Sequence, residues 1–158
     1  MHFRALRLPD AVPGQVWLSS MPGRLEPWSA FLAEAERVGL TRVVCLTPLH
    51  EVASLSPEYR ASLDEQTFPF GWQHLPMRDF GLALDAEHFR DAVDQAAERV
   101  LSGDSVLLHC AAGIGRTGTF AACLLKRLSC PQEIALEWVR MAGANPQSAL
   151  QSGLIALF

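Results

Sequence analysis

Positive charge is scarce in this 158-residue chain: 13 Lys and Arg stand against 17 Asp and Glu, a formal net charge of −4 at pH 7. It carries no basic stripe for a nucleic-acid backbone and no polybasic patch for anionic lipid. No run of 18 apolar residues occurs, so no membrane span is expected. The opening MHFRALRLPDAVPG meets Pro9 and Asp10 before any apolar stretch long enough for a secretory signal. Cys45, Cys110, Cys123 and Cys130 include no Cys-x-x-Cys pair, which argues against structural zinc and a disulfide framework and for a reducing compartment. His2, His50, His74 and His88 show no metal-ligand spacing. Repeats and low-complexity tracts are absent, and so is the Gly-Lys-Ser/Thr that a Walker-type phosphate loop requires. What is abundant is apolar side chain: 49% hydrophobic against 19% charged, which excludes disorder and supplies a large core. The expectation is one domain over residues 1–158, soluble, cytoplasmic and without a metal or cofactor.

The apolar pattern alternates between strand and helix. Gln15 to Leu18 reads as a short strand, followed by a loop over Ser19 to Gly23. Pro27 to Val38 reads as a helix with Trp28, Phe31, Leu32, Ala35 and Val38 on one face, stopped by Gly39. Thr41 to Leu46 is a continuous β-branched and apolar run, the pattern of a strand covered on both faces. A short helix is expected around Pro57 to Asp64, and a strand over Trp72 to Leu75. Asp85 is placed to cap a helix from Ala86 to about Leu101, with Phe89, Val93, Ala96, Ala97 and Val100 inward. Ser105 to His109 is a second buried strand, and Arg116 to Leu128 a helix apolar nearly all round, hence central. Helices from Pro131 to Met141 and over roughly Gln147 to Leu157 complete the chain. Strands alternating with helices give an α/β fold with a central, largely parallel sheet flanked by helices.

One segment carries the chemistry: His109-Cys110-Ala111-Ala112-Gly113-Ile114-Gly115-Arg116-Thr117-Gly118. It sets a cysteine at the end of a buried strand, a short loop, and an arginine at a helix start, where α/β sheets bind ligands. Gly113 and Gly115 let successive N–H groups converge into an anion nest. The helix start adds unpaired N–H groups and the positive end of its dipole. Arg116 adds a planar fork for two phosphate oxygens. The same positive field favours the thiolate of Cys110, which can attack the phosphorus of a bound ester and form a phosphocysteine. His109 fits the part of a buried histidine that orients the loop through hydrogen bonds. Substrate-binding residues are therefore Ala111, Ala112, Gly113, Ile114, Gly115 and Arg116, with no metal.

HCAAGIGRTG resembles the His-Cys-x5-Arg-Ser/Thr signature of the protein tyrosine phosphatase superfamily, and its flanks resemble the small atypical dual-specificity phosphatases. The likeness extends to VWLSSMPG, to the helix-Gly-strand unit ending in VVCLT, and to MRDF upstream of the loop. It implies the cysteine-based phosphatase fold, with Cys110 as nucleophile and Arg116 as phosphate clamp. It also implies that Thr117 donates its hydroxyl hydrogen bond to the Cys110 sulfur. Protonating the leaving oxygen calls for a carboxylic acid. The family supplies an Asp from an upstream loop, and the match here is Asp79, 31 residues before Cys110. Arg78 stands where the family usually has Pro, and Asp85 is the rival acid. Ser148-x-x-Gln151 resembles the family's Thr-x-x-Gln, which would give Gln151 the hydrolytic water to position. A protective disulfide between Cys45 and oxidised Cys110 stays open.

Loop side chains narrow the ester. Ala111, Ala112 and Ile114 are uncharged, whereas lipid phosphatases that resemble this family commonly carry lysines there for an inositol ring. RNA 5′-triphosphatases share the signature but call for more positive charge. The expected partner is a phosphoprotein, phosphotyrosine especially and phosphoserine or phosphothreonine also, with no nucleic acid or membrane; a monomer is expected. A phosphoinositide or RNA 5′-triphosphate phosphatase, and a phosphate-binding module without turnover, remain as alternatives.

Overall fold

A computed structural model describes residues 1–78, 86–146 and 149–158. Five strands form one sheet in the order β1 (Arg4–Leu6), β2 (Gln15–Ser19), β5 (Ser105–His109), β3 (Arg42–Cys45), β4 (Gly71–His74). Only the β1–β2 pair is antiparallel, so the sheet is largely parallel as expected. The helices are α1 (Trp28–Val38), α2 (Leu49–Leu55), α3 (Pro57–Asp64), α4 (Ala86–Leu101), α5 (Gly115–Arg127), α6 (Gln132–Met141) and α7 (Ala149–Ala156). Pro57 opens α3 in the first turn, where its missing N–H costs nothing.

Strand alternation splits the core between the two faces of the sheet. Val44, Leu46, Val106 and Leu108 share one buried cluster with Phe89, Val93, Phe120, Leu124, Val139 and Ile155, which puts α4 to α7 on that face. Val43 and Leu107 cluster with Phe31 and Ala35 of α1, and Cys45 clusters with Val52 and Tyr59 of α2 and α3 on the opposite face. Every described α5 residue from Gly115 to Leu125 is buried, the central position that its all-round apolar pattern predicts.

Three readings need correction. β1 is too short to leave an alternating pattern, and pairing with β2 alone reveals it. α2 begins at Leu49 behind Pro48 in a stretch that carries no clear period. On α1, Leu32 is exposed and Glu34 is buried in its place, because its carboxylate accepts the Phe3 N–H at 2.7 Å and pairs with Arg37. A buried charge with a backbone donor and a guanidinium is tolerated where the apolar pattern alone would put a leucine. Asp85, the expected cap of α4, lies outside the described residues.

Candidate active site

The parallel strands end in register. Ser19, His109, Cys45 and His74 form one row across the sheet, and Cys110 is the first residue beyond it on β5. Cys110 is buried, and the loop turns back so that the Gly113 N–H donates to its sulfur at 3.2 Å. Gly113 has φ +76°, and a Cβ on it would fall on the Ser19 carbonyl, so the turn needs glycine for both conformation and room. The outer wall of the loop is tied to its neighbours: the Met21 N–H donates to the Ala111 carbonyl at 3.1 Å, and the Asn145 N–H to the Ile114 carbonyl at 3.1 Å. A Cβ on Gly118 would stand 2.7 Å from the Asn145 nitrogen, so this glycine lets the first turn of α5 close against residues 143–146. That first turn contains no acidic side chain, which leaves the positive end of the helix dipole uncompensated by the helix itself.

Arg116 is buried at the start of α5. Its Nη1 donates to Glu51 Oε2 at 2.7 Å and to the Met77 carbonyl at 3.0 Å, and its Nη2 to Glu51 Oε1 at 3.4 Å. A buried guanidinium needs such a counterion, and the carboxylate also fixes the plane of the fork. Met77 is held in turn by its N–H on the Leu46 carbonyl at 3.1 Å. Thr117 is buried beside them, and its Oγ1 has no hydrogen-bond partner among the described residues, so the expected bond to the Cys110 sulfur is not formed.

Behind the loop runs a chain of ring donors. Trp72 Nε1 donates to the Tyr59 hydroxyl at 3.0 Å, and that hydroxyl lies 2.8 Å from His109 Nε2. His109 Nδ1 lies 3.1 Å from the Cys110 carbonyl, which can only accept, so the proton is assigned to Nδ1 and Tyr59 donates to Nε2. Complete burial lowers His109 to about 4, against a raising contribution from the Cys110 carbonyl, so the ring is neutral and fixes the loop's first carbonyl.

Cys45 pairs in register with His109 and lies among Met21, Val52 and Tyr59, whereas Cys110 belongs to the cluster of Leu46 and Leu108. The two sulfurs therefore face opposite sides of the sheet, and a Cys45–Cys110 disulfide would have to cross it. All four cysteines are free. Gln151 is buried in α7 and turned away from solvent. Asp79, Asp85 and Ser148 lie outside the described residues.

Two site residues are missed by sequence reasoning. Glu51 sits 65 positions before the arginine it holds, on a helix the pattern does not reveal. Arg4 is 109 positions before Gly113, to whose carbonyl its Nη2 donates at 2.6 Å; its Nη1 donates to the Gly143 carbonyl at 2.9 Å. Neither pairing leaves a local signal. Among the described residues no three His, Cys, Asp or Glu side chains are grouped to hold a metal, and no helix is long and apolar enough to cross a membrane.

Residues 8–152 match the family described as PTP-SAK, Swiss Army Knife protein, DSP-PTPase phosphatase domain. A stretch of 60 residues is 40% identical to Tyrosine-protein phosphatase 1 of Caenorhabditis elegans, covering 34% of this chain and 6% of that protein's length. Among solved structures, kinase associated phosphatase with a serine at its catalytic-site cysteine superposes with a TM-score of 0.83 at 19% identity, over 98% of this chain and 92% of the other. Tk-PTP in its active form gives 0.72 at 27% identity, over 98% and 95%. DUSP15 gives 0.69 at 17%, over 99% and 86%.

Proposed function

The chain belongs to the DSP-PTPase phosphatase family, and from that premise we propose that it hydrolyses phosphate monoesters on protein side chains, phosphotyrosine above all, through a phosphocysteine intermediate. The observation that carries this is the Gly113 N–H aimed at the Cys110 sulfur in a loop that closes on the buried Arg116. In the first step the Cys110 thiolate attacks phosphorus, an S–P bond forms and the ester P–O bond breaks. The departing oxygen takes a proton from Asp79. In the second step water attacks phosphorus and gives its proton to Asp79. The S–P bond breaks, and inorganic phosphate leaves with Cys110 again a thiolate. Loop N–H groups and the Arg116 fork hold the equatorial oxygens through both steps, where charge develops. Thr117 Oγ1, buried at the site, is the donor available to the departing sulfur, and Gln151 is the candidate to position the water.

Asp79 is preferred to Asp85 on sequence position: it follows two residues after Met77, whose carbonyl accepts from Arg116. Asp85 adjoins the first residue of α4, where an aspartate caps. The side chains of the loop, Ala111, Ala112 and Ile114, offer no charge to a second phosphate, which favours a monoester over a phosphoinositide or an RNA 5′-triphosphate. The reading extends to phosphoserine and phosphothreonine beside phosphotyrosine. The thiolate mechanism fits a reducing, cytoplasmic setting.

The test is turnover of a generic aryl phosphate, abolished in Cys110→Ser, followed by a phosphopeptide panel with phosphoinositide and RNA-triphosphate controls. Asp79→Asn should slow phosphopeptides by about a hundredfold and an electron-poor aryl phosphate far less, because only the poor leaving group needs the proton. Turnover that survives Cys110→Ser overturns the mechanism, and a leaving-group-dependent loss at Asp85→Asn instead moves the acid.

A further inference from the structure

Arg116 is not the only guanidinium at the loop. Arg4 extends from the edge strand β1 and joins two carbonyls, Gly113 at 2.6 Å and Gly143 at 2.9 Å. Among the described residues it has no carboxylate partner, so its charge is not cancelled locally the way Glu51 offsets that of Arg116. It is half-buried; burial lowers it from its ordinary value, while the charge of Cys110 raises it, which places the two groups within electrostatic reach.

The Gly113–Ile114 peptide is where this matters. No peptide bond among the described residues is cis, and in a trans peptide the C=O and the N–H point in opposite directions. A carbonyl held outward by Arg4 therefore turns the Ile114 N–H inward, to the side where the anion sits. Turning this peptide over would swing Ile114 from φ −120° toward positive φ, which a β-branched residue resists, so the chain itself favours the inward N–H and Arg4 adds to that preference. If the peptide turned over, a carbonyl oxygen would face the phosphate and one donor of the nest would be lost. Arg4 is thus a hold on this peptide from outside the loop, added to the loop's own preference.

We infer that Arg4 is a positioning residue for the phosphate cradle: it locks the Gly113–Ile114 peptide in the anion-binding orientation, ties it to residue 143 of the neighbouring loop, and sets a second fixed positive charge beside Cys110. This rests on the phosphatase reading of the site. Arg4 does not touch the ester; it acts through the peptide it holds and through its field.

The experiment compares the full chain as wild type, Arg4→Lys and Arg4→Met. Iodoacetamide labelling of Cys110 is followed against pH, with and without inorganic phosphate, beside steady-state kinetics on an aryl phosphate and a thermal melt. In Arg4→Met the labelling rate at low pH should fall about tenfold, because a positive charge near the sulfur is lost. Phosphate protection should need about tenfold more phosphate, and KM should rise more than kcat falls, because a donor to the bound anion is no longer held in place. Arg4→Lys keeps the charge but loses the planar fork whose two nitrogens hold the two carbonyls separately, so it should restore the labelling and only part of the phosphate protection. Labelling, protection and KM unchanged in Arg4→Met overturn the inference and leave the phosphatase reading standing. A wild-type Cys110 that reacts slowly and is not protected by phosphate overturns both. If Arg4→Met does not fold, Arg4→Lys decides alone, and protection equal to wild type rejects the clamp.

Discussion

Two neighbouring strands end at or just before a cysteine, and the loops that follow them differ. Cys45 closes β3 and Cys110 follows β5, side by side at the same end of the sheet. After Cys45 the chain runs Leu46-Thr47-Pro48 into α2; the thiol lies 3.3 Å from Thr47 Oγ1 and 3.6 Å from the Thr47 carbonyl, and burial pushes it up from its ordinary value. After Cys110 the chain runs Ala-Ala-Gly-Ile-Gly into α5, and the loop returns an N–H to the sulfur. A proline removes a donor and stiffens the turn, whereas a glycine at positive φ lets the backbone curl over the side chain it has just passed. The strand supplies position and burial to both cysteines; the loop after it and the face it selects separate the proposed nucleophile from a thiol packed in the core.

The largest effect expected from this contrast is in labelling. Burial pushes the Cys45 thiol up and covers it, so Cys45 should be alkylated far more slowly than Cys110. Phosphate should slow Cys110 alone. Gly113→Ala presses a Cβ onto the Ser19 carbonyl at a backbone angle that alanine resists, and should bring Cys110 toward the behaviour of Cys45. Mass-spectrometric counting of labelled peptides reads both. Equal labelling of the two cysteines in the folded wild type would remove the distinction.

A smaller loss tests the helix side of the same junction. Arg116→Lys keeps one positive charge at the start of α5 but loses the planar fork that meets Glu51 and Met77, and with it the two-point grip on phosphate proposed for it. Turnover should fall by about a hundredfold or more. A lysine enzyme within a few-fold of wild type would mean that a point charge suffices and that the orientation imposed by Glu51 has no bearing on catalysis.

What the sequence discloses follows the same division. The proposed nucleophile, the nest and the arginine occupy seven consecutive positions, Cys110 to Arg116, and each residue type has a use in that frame that few other arrangements share. The apolar face of α4 and the all-round apolar α5 are legible because a 3.6-residue period states burial directly. Arg4 and Glu51 are not legible, because each acts across the fold on a partner that only the sheet order and the helix packing bring near. Glu34 fails to show for a related reason: its burial depends on the N-terminal strand donating to it, and exposed Leu32 beside it carries the stronger apolar signal.

The smallest effect concerns the Cys45 face, where Tyr59 and His109 back the loop. Burial leaves His109 with a folded value of about 4 against an ordinary 6.5. Between those values the unfolded chain binds a proton that the folded chain does not, so stability rises with pH across the window. The contribution is complete above 6.5 and is lost as pH falls toward 4, in total about 3 kcal/mol. Glu34, held low by Arg37, adds its own loss only below its ordinary 4.5, so the interval from 4.5 to 6.5 isolates the histidine. Urea unfolding across that interval should show the fall in wild type and a flat line in His109→Gln. Tyr59→Phe separates burial from hydrogen bonding. It leaves His109 Nε2 and Trp72 Nε1 without their partner, which costs about 1 to 3 kcal/mol at every pH. Because burial is the larger cause of the histidine's shift, the slope should persist while the whole curve drops. A Tyr59→Phe protein that loses the slope as well would assign the neutral ring to the tyrosine, and a His109→Gln protein that keeps it would place the acid sensitivity elsewhere in the fold.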